Sequence, residues 1–275
     1  MRQRALSAAI FVPPLLAVLA IGEPWFGALI AVFVAVAARE AARLVRGAGY
    51  PAISGLAVVG ALAVAADLAS PEPLRPYAGL LVAATLVAAG IAAFVEKDTR
   101  VGFAAWIGTA FAAVYVGMLG SLVRLGEIAP PLPASAPAAQ LGAGRGWILL
   151  IILLVWSFDT GAYCVGIALG KRKFLTHISP LKSYWGLFGG IAASTAVAVA
   201  GLWELGQPAP LGLVLGPLIG LVAQAGDLAE SMLKRAAGAK DSGGLIPGHG
   251  GILDRVDSLI FAAPVAALFV TALVR

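Results

Sequence analysis

Apolar stretches close to the roughly 20 residues needed to cross the hydrocarbon core of a bilayer recur from one end of this chain to the other. Within lipid, backbone N–H and C=O groups must be satisfied inside the protein, so such stretches are read as helices. Short charged or Pro/Gly-rich punctuation separates them. The sequence therefore predicts an all-α, polytopic integral membrane protein with about nine transmembrane helices, over residues 5–22, 25–38, 51–69, 78–95, 101–123, 147–169, 186–205, 211–230 and 257–274. The second span is short for a crossing and could pair with the first as a helical hairpin around Glu23-Pro24. Composition excludes the alternative of a soluble globule. Hydrophobic residues make up 60% of the chain and charged ones 12%, where a soluble domain carries about half and a quarter. Pro13-Pro14 interrupts the first apolar run and further spans follow at once, which favours a first membrane helix over a cleaved leader. The single cysteine, Cys164, lies inside an apolar span, so neither an intramolecular disulfide nor a cysteine metal site is available.

Placing the N-terminus inside puts Arg2, Arg4, Arg39, Arg43, Arg46, Lys97, Arg100, Lys171, Arg172, Lys173, Lys182, Lys234, Arg235, Lys240 and Arg255 on one side, 15 of the 19 basic residues. Arg75, Arg124, Arg145 and Arg275 fall opposite. By the positive-inside rule the richer side is cytoplasmic, and its charge suits anionic lipid headgroups or a polyphosphate. The expectation is a protein of the inner membrane of a bacterium with its site facing the cytoplasm. Residues 1–125, whose five spans are nearly free of buried charge, read as a transmembrane scaffold or lipid-access surface, 126–146 as an external Pro/Ala/Gly-rich linker, and 147–275 as a catalytic half into which polar groups enter.

Three groups could do chemistry. Asp227, Glu230, Ser231 and Lys234 share one helix face by their spacing, where an ionisable residue at membrane depth faces a cavity or a partner or simply ends the helix in a salt-bridge stripe. Asp254 and Asp257 form a second acidic face, and two such faces could converge on a divalent cation. Between them lies a loop with Gly243, Gly244, Gly248, Gly250, Gly251, Lys240 and His249, in which glycines let backbone amides approach phosphate oxygens. His249 is equally a loop hydrogen-bonder or a phosphate donor, not a general base. Asp159-Thr160-Gly161 deep in the sixth span is read as a buried acid facing a polar cavity, with an interhelical polar contact as the alternative. The basic run Lys171-Arg172-Lys173 and the segment Ser179 to Lys182 draw anions or mark topology.

At these residues the chain resembles a known family. Ser231-x-x-Lys234-Arg235, then Lys240-Asp241, then Pro247-Gly-His-Gly-Gly-Ile-Leu-Asp254-Arg255-Val-Asp257 is similar to the signature of the phosphatidate cytidylyltransferases. Asp159 to Tyr163, Ile178-Ser179-Pro180 through Gly186, and Gly226-Asp227-Leu228 resemble the family's other blocks. One departure stands out: Trp185 occupies the family's acidic position, so no role of that acid is carried over. The resemblance implies transfer of CMP from CTP to phosphatidate, giving CDP-diacylglycerol and pyrophosphate. It implies a magnesium site at Asp227 and Asp254 with Asp257 and Asp241 helping, and leaves room for a second, monovalent cation. It implies phosphate contacts from Lys234, Arg235, Lys240 and Arg255, with Ser231, Gly248, His249, Gly250 and Gly251 positioning the phosphates. Asp159, Lys171, Lys173, Ser179 and Lys182 are expected near substrate. The partners implied are CTP, phosphatidate and membrane lipid, with a homodimer open and no nucleic acid. A secondary transporter and a CDP-alcohol phosphotransferase fit less well. No matching half-repeats appear, and the Asp-Gly-x-x-Ala-Arg block of the latter is absent.

Overall fold

A computed structural model describes residues 13–70, 75–244 and 250–274. After helical residues 13–21 come nine α-helices. They are α1 (Trp25–Gly47), α2 (Ser54–Ala69), α3 (Arg75–Ala93), α4 (Thr99–Gly117), α5 (Ser121–Ile128), α6 (Ala143–Leu169), α7 (Tyr184–Glu204), α8 (Gly212–Ala236) and α9 (Leu253–Phe269). A π-helical turn, Val270–Val274, continues α9. The all-α expectation holds: no strand occurs among the described residues, only an isolated bridge between Lys173 and Ser183.

Among the described residues, five helical stretches are long and apolar enough to cross a membrane: Thr99–Ile128, Ala143–Leu169, Tyr184–Glu204, Ala209–Ala236 and Leu253–Ala272. Ser54–Ala69 and Tyr77–Ala93 are apolar but shorter. The largest departure from the sequence reading is in α1. The expected span ended at residue 38, yet the helix runs on to Gly47 and takes Arg39, Glu40, Arg43 and Arg46 into its last turns. Propensity explains the extension, since Ala, Glu, Arg and Leu are strong helix formers. The helix stops at Gly49, whose positive φ of 96° lets Gly49 N–H and Tyr50 N–H close onto the carbonyls of Arg46 and Val45. The first expected span, 5–22, lies partly outside the described residues.

Contacts divide the chain into two compact units, residues 1–124 with 232–256, and 125–231 with 257–275. The boundary passes through α8 and α9, so the first unit takes in the charged segment near the C-terminus together with the N-terminal helices.

In the first unit α2 packs on α1, α3 and α4. The approach is close because the contact positions are small. A Cβ on Gly60 would lie 2.9 Å from Ala113 and Thr85, and one on Gly117 would lie 2.6 Å from Val64. Val34, Ala37, Ala38, Ala41 and Ala42 of α1 are fully buried. In the second unit α6 and α7 form a glycine-lined pair: a Cβ on Gly161 would sit 2.6 Å from the Gly189 carbonyl. Phe158, 1% exposed, lies in a notch between Gly190 of α7 and Gly220 of α8, either of which would place a Cβ 2.7 Å from its ring. Ser183 caps α7, its hydroxyl accepting from Gly186 N–H at 3.1 Å. The expected linker is tied down: Ala138 N–H donates to the Glu204 carbonyl at 3.0 Å, and Ala136 is buried beside Gly206.

Candidate active site

Each unit holds a charged cluster. In the second unit the centre is Asp227, near the cytoplasm-directed end of α8 expected from the sequence. Its Oδ2 pairs with Lys182 Nζ at 2.6 Å and its Oδ1 accepts from the Ser231 hydroxyl, one turn on, at 3.3 Å. Lys182 reaches α8 because residues 171–184 fold back on themselves. Phe174 N–H donates to the Lys182 carbonyl, Tyr184 N–H to the Arg172 carbonyl, and the Phe174 and Tyr184 rings lie 5.3 Å apart. Asp159 is within electrostatic reach of Asp227 and Lys182. It lies on an accessible face of α6, and its neighbours' hydroxyls turn back on their own helix, Thr160 donating to the Trp156 carbonyl and Ser157 to that of Leu154. Phe158 in its notch sets the register of Asp159. Asp257 comes to the same unit by backbone contact, since a Cβ on Gly226 would be 2.6 Å from the Asp257 carbonyl. Of the acids expected on the two faces, Asp227 and Asp257 belong to this unit, and Asp254 belongs to the first.

In the first unit the centre is Asp254, in the first turn of α9. Its Oδ1 accepts from Lys234 Nζ at 2.6 Å, both side chains only 12% exposed. Its Oδ2 accepts from Ser242 N–H at 2.9 Å, the Ser242 hydroxyl at 2.7 Å and Gly251 N–H at 2.7 Å. Reaching back to an N–H three residues earlier is how a first-turn acid satisfies an otherwise orphaned donor. Gly238 brings the chain into this loop: at φ 64° it ends α8 while Gly238 N–H and Ala239 N–H close onto the carbonyls of Arg235 and Lys234. Arg235 is exposed and donates to the Ala239 carbonyl at 3.2 Å, and Lys240, Asp241 and Arg255 are exposed. Lys171 and Lys173 are exposed as well, Lys173 donating to the Leu181 carbonyl, while Ser179 is half-buried. Pro247, Gly248 and His249 lie outside the described residues.

A residue that sequence reasoning missed completes this cluster. Glu40 of α1, which lies just beyond the expected second span, is 4% exposed. Its Oε2 accepts from Leu253 N–H at 2.8 Å and from the Ser242 hydroxyl at 3.2 Å. The pattern could have exposed it, because Glu40 lies three residues after Ala37 and four before Leu44, both buried. The glycines also acquire a local reason. A Cβ on Gly243 or Gly251 would strike the Glu40 carboxylate, and one on Gly250, at φ 79°, would strike that of Asp254. These glycines admit the protein's own carboxylates, and the Gly251 amide is committed to Asp254.

The arrangement can do two things. Charges held by short, partly buried contacts are pre-organised to meet an anionic substrate, and the exposed cations beside them can grip phosphate oxygens.

Comparison with known sequences agrees with this chemistry. Residues 2–273 match the family described as the cytidylyltransferase family. A phosphatidate cytidylyltransferase of Synechocystis sp. (strain ATCC 27184 / PCC 6803 / Kazusa) is 36% identical over 98% of this chain and 97% of that relative. The proteins of that name from Brucella suis biovar 1 and Pseudomonas aeruginosa are 47% and 43% identical, over 44% and 46% of this chain and 46% and 48% of theirs.

The glycine assignment has a direct consequence. Gly251→Ala forces a methyl onto Glu40 and should destabilise the protein by about 1–3 kcal/mol. Gly244→Ala, at an exposed position with open space around its Cα, should stay within about 0.5 kcal/mol of the parent. Unfolding of the detergent-solubilised protein, followed by intrinsic fluorescence, checks the pair; equal effects would contradict it.

Proposed function

This chain belongs to the cytidylyltransferase family and is a nucleotidyltransferase, and we propose that it transfers CMP from CTP to phosphatidate, giving CDP-diacylglycerol and pyrophosphate. The observation that carries the proposal is that the charged residues of the signature are each fixed by a named partner, Asp227 by Lys182 and Ser231 in the second unit, and Asp254 by Lys234 in the first. The reaction brings two anions together. A phosphate oxygen of the lipid attacks the α-phosphorus of CTP, the bond from that phosphorus to the bridging oxygen breaks, and pyrophosphate leaves with the electron pair. The nucleophile is already anionic, so no strong general base is required. What the protein must supply is charge neutralisation and an in-line arrangement. Lys234, Arg235, Lys240 and Arg255 are the proposed phosphate contacts, and Lys182 the one that the folded-back segment presents.

Magnesium dependence belongs to the same reading. Carboxylate oxygens suit a hard divalent cation. Asp227, with a side chain 36% exposed and two partners among the described residues, keeps lone pairs open for one, and Asp257 is the carboxylate that the α8–α9 contact brings to the same unit. The resemblance also assigns Asp254, which would then exchange its Lys234 contact for the ion. Such a cation would neutralise triphosphate charge and ease departure of pyrophosphate. No group of three or more His, Cys, Asp or Glu side chains is gathered to hold a metal among the described residues, which leaves substrate phosphates and water to complete any coordination.

The purified protein, given labelled CTP and phosphatidate in mixed micelles with magnesium, should move label into chloroform-soluble lipid. Asp227→Asn should lower that rate by about a hundredfold or more while the protein remains folded. No incorporation by the parent would sink the proposal, and near-parental turnover by the variant at saturating magnesium would remove Asp227 from it.

The charge asymmetry places the site on the cytoplasmic face of a bacterial inner membrane in this reading. With Cys164 replaced, Lys240→Cys and Gly142→Cys, both at exposed positions, should react with an impermeant thiol reagent from opposite sides of sealed vesicles. Labelling of both from one side would overturn the orientation.

A further inference from the structure

We infer that Glu40 is a positioning residue for the signature region: through one buried carboxylate, α1 fixes the start of α9 and the flanking residues Ser242, Gly243 and Gly251. The inference rests on the functional reading only for what the loop does, not for how it is held.

Leu253 is the first residue of α9, and its N–H is one of the donors that a helix start leaves without an intrahelical partner. Glu40 takes that N–H at 2.8 Å from 213 residues away in sequence. A carboxylate at a helix N-terminus is stabilised by the aligned peptide dipoles, the more so when water is excluded. The same oxygen receives the Ser242 hydroxyl at 3.2 Å, although that hydroxyl, with one proton, is closer to Asp254 at 2.7 Å. Gly243 and Gly251 both lie against the carboxylate, each at a position where any side chain would collide with it. Glu40 is therefore enclosed by the loop rather than placed beside it. Exposed side chains of α1 such as Arg43 and Arg46 show no such enclosure.

This arrangement changes how phosphate recognition must work. The N-terminus of a helix following a glycine-rich loop is ordinarily a place for a phosphate. Here the Leu253 and Gly251 amides are taken by Glu40 and Asp254. Among the described residues, Ser242, Gly243, Gly250 and Gly251 form an internal carboxylate cradle, and the exposed cations beside it that can grip substrate phosphates are Lys240 and Arg255. Removing Glu40 should loosen those cations without removing them, so the effect should appear in CTP affinity as well as in turnover.

The test compares Glu40→Ala with Glu40→Gln. Glutamine keeps an acceptor oxygen where Leu253 N–H points, whereas alanine leaves that amide unpartnered. Two readouts are taken. Hydrogen exchange across residues 240–254, without substrate, should accelerate by about tenfold or more in Glu40→Ala and remain near the parent in Glu40→Gln, with α6 and α7 unchanged in both. The ratio kcat/KM for CTP should fall by about tenfold to a hundredfold in Glu40→Ala, with a raised KM, and be largely restored in Glu40→Gln. If Glu40→Ala does not fold, Glu40→Asp replaces it, keeping the charge but falling one methylene short. Parental exchange and parental KM in the alanine or aspartate variant would overturn the inference, as would a glutamine variant no better than alanine. A parent without cytidylyl transfer would remove the functional reading but leave the exchange experiment able to decide the role of Glu40.

Discussion

One carboxylate organises the chemistry-bearing end of the first unit. Asp254 receives an ammonium on one oxygen and three loop donors on the other, from Lys234, Ser242 and Gly251. It thereby joins the end of α8, the glycine-rich loop and the head of α9. Removing a charge from water is costly unless every lone pair finds a donor, and here the donors are supplied by the same segments that must be held together. The need to satisfy the charge and the need to order the loop are met by one set of contacts. The second unit repeats the logic with Asp227, met by Lys182 and Ser231.

The apolar framework makes such contacts reliable. In lipid the hydrophobic effect does not drive helices together, so association depends on close packing of small residues. Gly161, Gly189, Gly190 and Gly220 allow α6, α7 and α8 to approach until Phe158 fills the notch between them, and Asp159 follows Phe158 directly. Gly226 does the same for α8 and α9 one residue before Asp227. Packing residues adjacent to acids are the means by which an apolar bundle sets the position of its few charges.

Much of this was legible in the sequence and some was not, for physical reasons. Hydropathy locates α4, α6, α7, α8 and α9 because length and composition are properties of a single segment. The i, i+4 and i+7 spacing places Asp227, Ser231 and Lys234 on one face for the same reason. What could not be read were contacts between segments far apart in the chain. Glu40 looks like one more charge in the Arg-rich end of a helix until Leu253 is seen opposite it, and Gly243 and Gly251 look like phosphate-binding glycines until the Glu40 carboxylate is found against them. Charged residues end an apolar span but not a helix, so α1 continues through Arg39, Glu40, Arg43 and Arg46 to Gly47.

The claim on which the rest depends is that Lys234 and Asp254 are energetically coupled rather than merely adjacent. A double-mutant cycle with Lys234→Met and Asp254→Asn, read as unfolding free energy in detergent, measures that coupling without reference to substrate. The partly buried pair at 2.6 Å predicts a coupling of about 1.5–3 kcal/mol. A value below about 0.5 kcal/mol, the level of an exposed surface pair, would contradict the account.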